Sequence, residues 1–80
     1  MKKISEKKLL KATDKQAGTL ATNLYNFRFD LGLAQGELAL RAGIDRKTVN
    51  RIENGHFSPS LETITRLATA LDVTVASMVK

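Results

Sequence analysis

The sequence predicts an all-α domain. Apolar residues recur at three- and four-residue steps through most of the chain. A strand reading lacks its turns, since Gly-Pro-type hairpin punctuation is absent. Eighty residues, 42% hydrophobic and 26% charged, suffice for one such domain around one core and leave no room for a second.

Residues 1–13 read as a basic arm and residues 14–80 as the folded domain. Lysines at 2, 3, 7, 8, 11 and 15, against Glu6 and Asp14, give the first sixteen residues a charge of +4 out of the chain's +5. The cationic excess is therefore a property of the arm, which suits either contact with DNA or simple solvation.

From Asp14 onward Ala17, Leu20, Ala21, Leu24, Phe27, Arg28 and Leu31 form one helical stripe, with Thr13 or Asp14 as its cap and Gly32 at its end. Phe29 falls on the outward side of that helix. Leu33 and Ala34 link it to a short second helix, Gln35 to Arg41, which turns Leu38 and Ala39 inward and stops at Gly43. Asp45 is an N-cap for a third helix in which Val49 and Ile52 face the core, and Asn54-Gly55 ends it. His56 to Pro59 is a loop. Ser60 then caps a fourth helix with Leu61, Ile64, Leu67, Ala68 and Leu71 as its stripe. Thr74 caps a last short turn, Val75 to Lys80, whose Val75, Met78 and Val79 pack on the fourth helix or meet a partner chain.

Several function classes fall away. There is no cysteine and only one histidine, so thiolate and multi-histidine metal sites are excluded. No phosphate-binding loop or catalytic triad is visible, and His56 has neither a nucleophile nor an orienting carboxylate at readable spacing. We expect no catalytic residue, no metal and no cofactor. The longest apolar run, Leu38-Ala39-Leu40, is far short of a membrane span or a signal-peptide core, so the expected location is cytoplasmic and away from membranes.

The third helix carries the chemistry. Arg46, Lys47, Asn50, Arg51 and Asn54 share its outward face. Arg and Lys match guanine O6 and N7, Asn matches adenine N6 and N7, and each good bidentate pair discriminates by roughly 1–3 kcal/mol. Between the second and third helices, Ala39 is small where the helices cross, Gly43 permits a tight turn, and Leu38, Val49 and Ile52 fill the gap.

With these residues, with Arg28 ahead of Gly32-Leu33-Ala34-Gln35, and with Ile52-Glu53-Asn54-Gly55 and Pro59-Ser60-Leu61-Glu62-Thr63, the chain resembles the Cro/C1-type helix-turn-helix regulators. The resemblance spans about Asn23 to Met78 and also takes in Leu67-Ala68 and Leu71-Asp72-Val73. It implies a five-helix, lambda-repressor-like DNA-binding domain that acts as a homodimer on double-stranded DNA, its third helix in the major groove of a pseudo-palindromic operator. Positions matching Arg46, Lys47 and Arg51 would contact bases, with Asn50 as a fourth. Gln35, Asn54 and Ser58 would contact phosphates. Arg28 and Glu53 would form a structural ion pair.

Two residues depart from the family pattern. Ala34 replaces the usual Ser or Thr cap, which costs about 0.5–2 kcal/mol, and Gly36 costs up to about 1 kcal/mol relative to Ala, so the second helix is expected to fray. The leading functional expectation is a repressor with dimer contacts around Val73 to Val79. The alternatives are the antitoxin of a toxin–antitoxin pair, or an interaction module of the same fold with a protein partner such as a toxin or co-regulator.

Overall fold

A computed structural model describes residues 18–55 and 57–80. The basic arm, the Thr13 or Asp14 cap, Ala17 and His56 lie outside the described residues. Five helices follow one another, with no strand among the described residues: α1 (18–30), α2 (Gln35–Ala42), α3 (Arg46–Glu53), α4 (Leu61–Leu71) and α5 (Val75–Met78).

Each element contributes to one core. Leu20 and Leu24 of α1, Leu33 of the link, Leu38, Ala39 and Ala42 of α2, and Val49 and Ile52 of α3 meet Leu67, Ala68 and Leu71 of α4 and Met78 of α5. Leu24, Leu38, Val49, Ile52, Leu67 and Met78 are fully buried. Removing a side chain of this size from water is worth about 1.5–3 kcal/mol, so these six dominate the cohesion of a small domain.

The α2–α3 turn depends on Gly43. It sits at φ 70°, and its N–H bonds back to the last carbonyls of α2. Ile44 N–H reaches the Ala39 carbonyl at 3.0 Å. This left-handed ending reverses the chain within three residues and lays α3 across α2. At the far end, the Ser60 hydroxyl accepts the Thr63 N–H at 3.2 Å and the Thr74 hydroxyl accepts the Ser77 N–H at 3.1 Å. Four residues of helix cannot persist alone. α5 is therefore held from outside, by burial of Met78 and by Asn23 of α1, whose Nδ2 donates to the Met78 carbonyl at 2.8 Å.

Several expectations need correction. Leu31 is 52% exposed because the helix has ended at residue 30 and the chain is already turning through Gly32. Leu61 is 70% exposed, since the buried part of α4 is its second half, from Leu67 to Leu71. Asp45 occupies the N-cap position, yet only its backbone carbonyl acts there, accepting the N–H groups of Thr48 and Val49. The start of α2 is better tied than Ala34 implies. Glu37 Oε1 accepts the Ala34 N–H at 2.9 Å, half of a reciprocal cap. Helix α2 also runs one residue further, to Ala42, while the last helix stops at Met78.

Candidate nucleic-acid interface

Helix α3 is anchored by what it buries. Val49 and Ile52 disappear into the core, so the opposite side of the same two turns must face outward. That side presents Arg46, Lys47, Asn50 and Arg51, all exposed. With Gln35 at the start of α2, these four line a shallow cleft containing three cations and no carboxylate. Gly36 lies alongside, and a Cβ there would sit 3.9 Å from Arg46 Cδ. Asn54 follows at the C-cap of α3, also exposed. Ser58 is exposed in the next loop and is not among the residues lining the cleft.

A chain of side-chain hydrogen bonds links this row to Glu53 and Arg28. Asn54 Nδ2 donates to Asn50 Oδ1 at 3.1 Å, Asn50 Nδ2 to Gln35 Oε1 at 3.3 Å, and Gln35 Nε2 to Glu53 Oε1 at 3.0 Å. Arg28 completes it from α1. Its Nε donates to Glu53 Oε2 at 2.7 Å and its Nη2 to Oε1 at 2.9 Å, while Nη1 reaches the Leu33 carbonyl at 2.7 Å. The bond to Glu53 holds the Arg28 guanidinium above its ordinary pKa, against the opposing effect of burial. One ion pair thus joins α1, the α1–α2 link and α3.

The structure therefore brings Gln35, Arg46, Lys47, Asn50 and Arg51 onto one surface, links Asn54 to that row, and joins Arg28 with Glu53. Sequence reasoning missed the two bonds by which Gln35 joins α3, because the partners are 15 and 18 residues apart and no periodicity marks them. It also missed Tyr25. The ring of Tyr25 stacks on Phe29, with centroids 6.0 Å apart, and lies 5.2 Å from the Arg28 guanidinium carbon. Among the described residues, no group of His, Cys, Asp or Glu is placed to hold a metal ion. No helix among them is long and apolar enough to cross a membrane.

Residues 24–77 match the helix-turn-helix family. An uncharacterised HTH-type transcriptional regulator from Methanothermobacter thermautotrophicus is 44% identical over 52 residues, which is 65% of this chain and 75% of that protein. Among solved structures, a hypothetical transcription factor from Neisseria superposes with a TM-score of 0.78 at 32% identity, covering 81% of this chain and 75% of its own. A restriction-modification controller protein from Aeromonas hydrophila gives a TM-score of 0.75 at 35% identity, over 78% of this chain and 94% of its own.

Proposed function

The chain belongs to the Cro/C1-type helix-turn-helix family of transcriptional regulators, and from that premise we propose that it is a cytoplasmic repressor that binds a pseudo-palindromic operator as a homodimer. The observation that carries this reading is the outward face of α3. Arg46, Lys47, Asn50 and Arg51 stand exposed in one cleft on a helix whose other side is locked into the core. A rigid helix two turns long, bearing three cations and an amide, has the shape and the donors that the major groove accepts.

In this reading Arg46, Lys47, Asn50 and Arg51 contact base edges. Gln35, Asn54 and Ser58 contact phosphates, which fix the register of the helix. Arg28 and Glu53 set the angle at which α3 is presented. The basic arm at residues 1–13 adds affinity that does not depend on sequence. No catalytic role and no cofactor are proposed. Pairing through the Val73 to Val79 segment, where Val79 remains 51% exposed, would set two copies of α3 one DNA turn apart, about 34–36 Å. Occupying an operator then represses by occlusion.

Selection from a randomised duplex library tests this, using the wild type and the Arg46→Ala/Arg51→Ala variant at two salt concentrations. We expect a two-fold symmetric site that the wild type enriches and the variant does not. Weak, salt-sensitive and unenriched binding by both proteins would overturn it.

A further inference from the structure

Tyr25 is 47% exposed on α1 and lines a second cleft together with Thr22, Gln35, Glu53 and Asn54. We infer that its hydroxyl donates a hydrogen bond to a phosphodiester oxygen of bound duplex DNA, a contact that rests on the reading of α3 given above.

The first support is that the ring is already held in place. Phe29 stacks on it with planes inclined by 18°, and the Arg28 guanidinium carbon lies 5.2 Å from its centroid. A phenol immobilised before binding gives up little rotamer freedom when it makes a bond.

The second support is the charge around the cleft. Glu53 is the one acidic residue lining it, and its two oxygens together accept three hydrogen bonds, two from Arg28 and one from Gln35. The carboxylate is neutralised by a cation lying beside the Tyr25 ring. An approaching phosphate therefore meets a compensated floor instead of a bare negative charge.

The third support is position. Gln35, at the start of α2, lines both this cleft and the base-reading one, so a backbone passing α3 and Gln35 continues toward Tyr25. Gln35 and Asn54 each commit one amide hydrogen to an internal partner and retain another, and no hydrogen bond joins the Tyr25 hydroxyl to another described residue. The rim thus offers three neutral donors in a row, the usual chemistry of a sugar–phosphate contact.

Tyr25→Phe removes only the hydroxyl and keeps the ring against Phe29 and Arg28. We expect about tenfold weaker binding to the selected duplex and to a scrambled one alike, as for loss of a hydrogen bond to a charged partner. The slope of log affinity against log salt should not change, because no cation is lost. The thermal midpoint should stay at the wild-type value. Duplexes carrying a single methylphosphonate linkage at successive positions provide a second readout. One linkage per half-site should weaken the wild type and leave the variant indifferent.

Wild-type affinity of Tyr25→Phe for both duplexes, or the same methylphosphonate profile in both proteins, would overturn the contact. The Arg46→Ala/Arg51→Ala variant, run alongside, separates the two claims. If it loses selectivity while Tyr25→Phe binds like the wild type, this contact fails and the regulator reading stands. If the wild type shows no selectivity, that reading fails, and the phosphate contact is still decided on the scrambled duplex.

Discussion

Arg28 on α1 and Glu53 on α3 are joined by two side-by-side N–H···O bonds of 2.7 and 2.9 Å, with side chains only 13% and 6% exposed. A planar fork meeting a carboxylate in this way fixes an angle as well as a distance. It is the polar link between the first helix and the helix that faces outward with its cations.

Arg28→Ala should therefore cost about 3–5 kcal/mol, because it leaves the Glu53 carboxylate buried with Gln35 as its remaining donor. Arg41→Ala, on the exposed side of α2, should stay within about 0.5 kcal/mol of the wild type. Denaturant unfolding compares them directly, and equal midpoints would show that the pair contributes nothing.

Two glycines should respond in opposite directions. Gly36→Ala places a Cβ 3.9 Å from Arg46 Cδ within a regular helix, and should stabilise by up to about 1 kcal/mol. Gly43→Ala forces a side chain onto φ +70° and brings it within 3.2 Å of Arg66 Nη1, and should cost about 1–2 kcal/mol. Thermal melts in which both variants shift the same way would contradict this account of the turn.

Asn23→Ala releases the carbonyls of Ser77 and Met78. The loss should be about 1 kcal/mol and concentrated at α5, since each such bond contributes roughly 0.5–1.5 kcal/mol. Amide hydrogen exchange should quicken over residues 75–78 and hardly change in α2. Unaltered protection of α5 would mean that Met78 alone retains it.

Val79 is half exposed, so Val79→Glu should weaken pairing of two copies while changing the stability of a single copy little. Sedimentation with and without a selected duplex measures this. A wild type that binds the duplex as one copy, or a variant that pairs as well as the wild type, would remove this segment from the dimer contact.

Much of the fold was legible because local rules and tertiary packing agree. Gly43, Ser60 and Thr74 each do in the structure what their residue type favours at a helix end. The misreadings fall where a stripe outlasts the surface that covers it. Leu31 and Leu61 have the right spacing, yet they lie at or past an end of a helix, where the core does not reach. Asp45 has the right side chain in the right place but makes no capping bond, while Glu37 supplies one that Ala34 could not. At the candidate interface the outward row of α3 followed from periodicity. The links of Gln35 to Asn50 and Glu53 did not, because they arise only when separate helices are laid side by side.

In the proposed reading, the shortness of α3 limits how rare an address one copy can recognise. Eight residues make a rod about 12 Å long, which parallels about four base pairs at a rise of about 3.4 Å each. A word of four letters recurs by chance about once in 256 positions, far too often to mark one place among the millions a genome offers. Two copies reading two such words at a set spacing would lower that to about once in 65,000. In that reading, selectivity would be governed by how many copies stand together and how far apart, more than by any single side chain on one of them.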